Sequence, residues 1–234
     1  MNEKTIDPGQ VLRGAREAVR RGSFEEALSK YEWVYENALA HDLAFSGVRN
    51  SYVIGEWARL GDVYPQARLN LEAVRDTKTA RLRDRLQEGA LFADISAINE
   101  VLGQFDLTAT LFAEIAERDQ KVAIRCFPSA RIALVRTQKY ALARSFIRSP
   151  LETLKRLAGT LNDDVRDRSE IPSTRSKDLE TAVIDNYIED VQHLMEILDG
   201  VGESDEAQSL RMIAIQSVDD LSARDRVRSQ LKLH

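Results

Sequence analysis

Residues 15–39, AREAVRRGSFEEALSKYEWVYENAL, constrain the fold more than any other part of the chain. Two runs of apolar residues at helical spacing flank the short break RRGSFEEA. Such a pattern buries both apolar faces by folding back on itself as a helical hairpin. Gly22 permits the turn, because a residue without a Cβ takes positive φ at little cost. Ser23 is placed to cap the second helix, and Glu26 three residues on completes a capping box. Ala27 is small where the two helices must cross closely, while Phe24, Leu28, Tyr31 and Val34 or Tyr35 make the inward face.

The same grammar recurs along the chain. The first helix is predicted over residues 8–21 and its partner over 24–40, with the break at His41-Asp42. In SYVIGEWARLGDVYPQARLNLEAVRD, Gly61-Asp62 is predicted as the turn, Asp62 as an N-cap and Pro65 as a first-turn proline, where its missing N–H costs little. Ala67 is the close-contact alanine of that pair, with Leu71 and Val74 on the core face. A third unit is predicted over 79–118, with Leu82, Leu86, Ala90, Ala93, Ala97 and Val101 as one alanine-rich stripe. Its turn is Gly103-Gln104-Phe105-Asp106, and Thr108, Phe112, Ile115 and Ala116 face inward.

Beyond residue 120 the pattern degenerates. Pro128 either begins a helix or kinks one, and Gln138-Lys139-Tyr140 with Ala143 reads as a turn that has lost its glycine. Ser149-Pro150-Leu151-Glu152 is a clear helix start. The polar, proline-broken stretch at 169–177 is predicted as a linker between helical repeats at 1–168 and a C-terminal repeat with a capping helix at 178–234. In that last region a long helix at 179–198, the turn at Gly200-Val201-Gly202 and Ala207 repeat the motif once more.

Gly22, Phe24, Ala27 and Tyr31 stand at the spacing of a tetratricopeptide repeat, and the chain resembles that family over about two thirds of its length. The separations Ala27 to Ala67 to Thr108 are 40 and 41 residues, wider than the family's repeat of about 34. The resemblance implies an all-α, antiparallel helix-pair α-solenoid wound as a right-handed superhelix, with partners held on the concave face by the first helix of each pair. On that face it places Leu12, Arg16 and Val19, then Arg49, Tyr52, Glu56 and Arg59, then Ala90, Ala93, Ala97 and Glu100, then Arg125 and Ile132. Of these, Arg16, Arg49, Tyr52, Glu56, Arg59 and Arg125 are the candidate partner-binding residues, since arginine grips carboxylates through paired charge-assisted hydrogen bonds. The alternative for these arginines is a solvated face, or pairing with acids on their own helices. The alanines of the third unit are expected to admit an apolar side chain. The chaperone-binding branch of the family clamps a terminal carboxylate with a lysine and an asparagine; Leu12 and Arg16 hold the corresponding positions here, so that clamp is not built.

Composition narrows the remaining classes. The net charge is −5 with both signs interspersed, which argues against a nucleic-acid binder. A single Cys126 and a start without a basic-then-apolar leader make the cytoplasm the default, and no apolar run approaches the roughly 20 residues needed to cross a bilayer.

No catalytic, metal or cofactor set is recognisable. His41, His193 and His234 lack the spacing of a zinc or metalloprotease motif. Cys126 beside Arg125 reads as a packing cysteine rather than a reactive one. Gly200-Val201-Gly202 follows a helix rather than a strand, which disfavours a phosphate loop. Asp163, Asp164, Asp167 and Glu170 are interleaved with Arg166 and Arg168, as in a solvated mixed-charge face. Asp199, Glu203, Asp205 and Glu206 lack calcium-loop spacing and suit a charged turn.

The sequence thus points to a non-enzymatic adaptor without cofactors, binding a protein or a peptide with an acidic or carboxylate-bearing segment. The alternatives are a self-assembling homo-oligomeric scaffold, motivated by Leu231 and Leu233, and a regulatory sensor of a small peptide ligand.

Overall fold

Three glycines turn the chain where the sequence requires it. Gly22, Gly103 and Gly202 lie at φ of 75°, 70° and 85°, a backbone region that side chains with a Cβ enter at a cost. At the degenerate turn Gln138 takes φ 56° in the glycine's place, so the hairpin geometry survives the loss of its usual residue. The computed structural model describes residues 6–169 and 174–231, and among these every regular element is helical.

The chain divides into two units, Met1–Ala133 and Leu134–His234. The first holds α1 (Pro8–Arg20), α2 (Phe24–His41), α3 (Phe45–Val48), a π-helical segment (Arg49–Val53), α4 (Ile54–Val63), α5 (Pro65–Asp84), α6 (Ala90–Val101), α7 (Phe105–Arg118) and most of α8 (Gln120–Arg136). The second holds α9 (Tyr140–Arg144), α10 (Pro150–Ser169), α11 (Thr174–Gly200), α12 (Ser204–Gln216) and α13 (Leu221–Gln230). This division differs from the expected one at residue 168. Of the linker expected at 169–177, residues 170–173 lie outside the described residues, α10 reaches Ser169 and α11 is already helical at Thr174.

In the first unit α1 packs on α2, α4 on α5 and α6 on α7, and the pairs are joined through α2 with α4 and α5 with α6. In the second unit α11 is the hub, touching α9, α10, α12 and α13. The fold is therefore all-α and built of paired helices. Small residues sit where partners cross: Ala27, Ala67 and Ala143 are fully buried, and Ala207 is 1% exposed. Thr108 takes that position in the third pair, because its hydroxyl accepts a hydrogen bond from the Asn99 amide at 3.0 Å in the buried core.

Several local expectations are corrected. The Ser23 side chain makes no capping bond, and Glu26 pairs instead with Arg21 at 3.2 Å and Lys30 at 3.5 Å. Asp7 is the residue that caps, accepting the Gly9 N–H at 2.8 Å ahead of Pro8. Gly61 and Asp62 do not turn the chain; α4 runs through both and the break falls at Tyr64, before Pro65. Gly61 is needed for another reason: a Cβ there would lie 2.8 Å from the Arg68 Cβ, so α4 and α5 could not approach as they do. The Trp57 indole clips the same crossing by donating to the Ala67 carbonyl at 2.9 Å.

The stripe from Leu82 to Val101 belongs to two helices, because α5 continues to Asp84 and α6 begins at Ala90. The inward face of α6 is Phe92, Asp94, Ile95, Ser96, Ile98 and Asn99, whereas Ala90 is exposed and Ala93 and Ala97 are half-buried. Pro128 lies inside α8. Ser149 caps α10 as expected, accepting the Glu152 N–H at 3.2 Å. Leu231 is buried, which removes one of the two residues that motivated self-assembly; Leu233 lies outside the described residues.

Candidate functional site

Helical spacing on α1 and α4 brings Arg16, Glu56 and Arg59 together in one open groove of about 430 Å³. Val19, Arg20, Tyr31, Leu60 and Val63 complete its lining. Glu56 is the acceptor at its centre. Arg16 Nε donates to both carboxylate oxygens at 3.0 Å, and Arg16 Nη2 donates to Oε1 at 2.7 Å. From the other side the Tyr31 hydroxyl donates to Oε2 at 3.2 Å. The bond to Glu56 raises the Arg16 pKa further above its ordinary value. Burial, then the Glu56 charge, push the Tyr31 phenol up to about 12, so it stays a protonated donor. The Glu56 side chain is 14% exposed, but Arg16 remains 41% exposed and open along its outer edge.

Two further guanidiniums border the groove. Among the described residues neither Arg20 nor Arg59 forms an ion pair, although the Arg59 charge reaches Tyr31 and offsets part of that phenol's upward shift. Val63 is 60% exposed beside them, and Leu60 is buried beneath. The groove therefore offers three cations against one carboxylate, with an aliphatic strip alongside.

The other expected site residues lie elsewhere. Arg49 is turned inward: its Nη2 donates to Asp94 Oδ1, and its Cζ lies 4.6 Å from the centroid of the Tyr35 ring. Asn50 donates to the same carboxylate at 2.9 Å and Lys78 to its other oxygen at 2.9 Å. The Lys78 ammonium also lies 5.2 Å from the Tyr35 centroid. Burial pushes the Asp94 carboxyl up, but Lys78, Asn50 and Arg49 together outweigh it and hold it below the usual carboxylate range. The π-helical segment presents Arg49 and Asn50 together to this cluster, whereas Tyr52 on the same segment is 65% exposed. Arg125 is exposed on α8. The basic cluster expected around Tyr52 is thus divided between the interior and the surface.

Asp94, Lys78, Arg75 and Asn99 escaped the sequence reading. Arg75 is buried, bonding Asp76 at 2.7 Å, Asn99 at 3.2 Å and Gln104. A signal was present: Asp94 interrupts the apolar run ALFADISAI, and a lone acid on an inward face demands cations.

Cys126 is 2% exposed, and burial raises its thiol pKa against the smaller opposing effect of Arg125. His193 is buried, with Nε2 3.9 Å from Glu189, and the His41 ring stacks on Trp33 at 5.5 Å; His234 lies outside the described residues. Asp163 pairs with Arg166 at 3.2 Å, and Glu203 with Arg144 at 2.5 Å; Glu170 lies outside the described residues. Among the described residues no helix is long and apolar enough to cross a membrane.

No family model matches the chain, and no curated protein matches it. A solved structure of a tetratricopeptide repeat protein from Parabacteroides merdae ATCC 43184 is 9% identical, over 96% of this chain and 85% of that one, with a TM-score of 0.30. So distant a likeness supports neither a family nor a function.

Proposed function

We propose that the chain is a non-enzymatic, cytoplasmic adaptor that binds an acidic segment of a protein or peptide in the groove between α1 and α4. One observation carries the reading: Arg20 and Arg59 flank the paired Arg16–Glu56 without ion-pair partners among the described residues, next to exposed Val63. A guanidinium fork binds carboxylates through two parallel hydrogen bonds, and an aliphatic strip beside it favours an acid next to a Val, Leu or Ile side chain. The groove is formed by two helices that each pack on α2, so ordering it on binding costs little. The tetratricopeptide-like turn at Gly22, Phe24 and Ala27 supports the same class of role.

The test is fluorescence anisotropy with a labelled, C-terminally amidated peptide of alternating glutamate and leucine. Wild type binds, with affinity falling as salt rises. An Arg20→Glu/Arg59→Glu variant with an unchanged helical circular-dichroism spectrum binds at least tenfold more weakly, because two attractions become repulsions. Equal binding by both proteins refutes the groove.

A further inference from the structure

We infer that Glu56 is an internal stand-in for the ligand's carboxylate: it occupies Arg16 and thereby holds the groove's affinity for acidic segments down. This inference rests on the groove reading above.

Three features of the site carry it. First, the Arg16–Glu56 contact has the geometry of ligand capture, with Nε and Nη2 together making three hydrogen bonds to one carboxylate. Second, Glu56 is held for that task from behind, since the buried Tyr31 side chain reaches it with its hydroxyl. A surface ion pair without such support loses much of its geometry to side-chain entropy. Third, Glu56 is the one acid among the described residues that line the groove, where the other charged residues are Arg16, Arg20 and Arg59.

An arriving carboxylate therefore meets two free cations, one cation already satisfied and one fixed like charge. The like charge sets a threshold. A segment with a single acid is opposed by Glu56 and gains only Arg20 and Arg59, whereas clustered acids engage both and also reach the open edge of Arg16. The partner this favours carries several closely spaced acidic side chains interleaved with aliphatic ones.

The competing account treats the pair only as a strut between α1 and α4. The two accounts differ in sign for one substitution. Glu56→Gln keeps the shape and leaves an oxygen for the Tyr31 hydroxyl, but it removes the charge and releases Arg16. As a stand-in, its loss tightens binding of the alternating glutamate–leucine peptide by roughly five- to tenfold, the effect of deleting one nearby like charge in a half-exposed site. As a strut, its loss leaves binding unchanged or weaker.

A second variant keeps the question open to refutation if Glu56→Gln fails to fold. Arg16→Met/Glu56→Gln replaces the pair by a neutral, similarly sized one. If Arg16 is occupied in the wild type, this variant binds the peptide within about threefold of wild type, because one attraction and the like charge that opposes the ligand are removed together. A loss of tenfold or more shows that Arg16 gives the ligand far more than Glu56 takes away, and overturns the inference. Unchanged or weakened binding by a folded Glu56→Gln protein also overturns it, while loss of binding in Arg20→Glu/Arg59→Glu leaves the groove standing. If that arginine variant binds as wild type does, the groove reading falls first and the stand-in with it.

Discussion

Asp94→Asn tests how much of the first unit depends on a single carboxylate. Asp94 receives Arg49, Asn50 and Lys78, and the Arg49, Asp94 and Lys78 side chains are only 12%, 9% and 22% exposed. The asparagine keeps the volume but removes the charge, and its amide turns a donor toward one of the donors already there. Hydrogen bonds to a charged group contribute about 1.5–3 kcal/mol against about 0.5–1.5 for neutral ones, so three weakened bonds cost roughly 3 kcal/mol. Two cations left without a counter-ion push the figure toward the roughly 3–5 kcal/mol typical of a broken buried pair. Partial exposure of Lys78 holds it near the lower end. Both tryptophans of the chain, Trp33 and Trp57, lie in this unit, so tryptophan fluorescence follows its unfolding in denaturant.

At pH 7 the variant is expected to unfold with about 3 kcal/mol less stability. The sign with pH follows from the Asp94 carboxyl being held below its ordinary value. Its contribution is complete above the unfolded value of about 3.9 and is lost as pH falls through the lower folded value. The gap between wild type and variant is therefore flat from about pH 8 to 5 and closes below about pH 4. A deficit under 1 kcal/mol at pH 7, or one undiminished in acid, would refute the assignment of this cluster as a charge-dependent support.

Three further outcomes are expected. Gly200→Ala places a Cβ 2.1 Å from the Tyr140 ring and should destabilise the second unit by about 1–3 kcal/mol, whereas Gly159→Ala, with nothing within 4 Å, should stabilise it by roughly 0.4–1 kcal/mol; chemical denaturation followed by circular dichroism compares the two. Gln138→Gly relieves a positive φ of 56° and should raise stability by about 0.5–1 kcal/mol in the same assay, a fall of similar size counting against it. Cys126 should react with a thiol reagent at neutral pH only as fast as the protein opens, since it is 2% exposed with a raised pKa; reaction at the rate of a free thiol would contradict its burial.

The helical pairing was legible because it is written in short-range chemistry. Gly22, Gly103 and Gly202 mark turns by conformational freedom, and Ala27, Ala67, Ala143 and Ala207 mark crossings by size, both readable from a few neighbours. Gly61 shows the limit of that reading: turn and close crossing both ask for glycine, and only the position of Arg68 on the next helix distinguishes them. Ser23 shows another. It occupies the N-cap position of α2 without making the bond, and Glu26 is drawn off by Arg21 and Lys30.

Arg16, Glu56 and Arg59 converge because α1 and α4 bring residues 40 apart in sequence into contact, a separation that equals the spacing of Ala27 and Ala67. Arg49 fits the same helical face on paper. Between it and Glu56, however, the backbone passes through a π-helical segment, which turns through less angle per residue than an α-helix and so shifts Arg49 off the face that regular helical spacing assigns it. Arg49 thereby meets Tyr35 and Asp94 inside the unit, and its charge supports the fold instead of a ligand. The unit accordingly holds arginine–carboxylate contacts of two kinds: one buried among four elements, where loss of the acid should cost stability, and one at a groove, where loss of the acid should yield affinity. Opposite responses to neutralising Asp94 and Glu56 would separate structural charge from binding charge within the same set of helices.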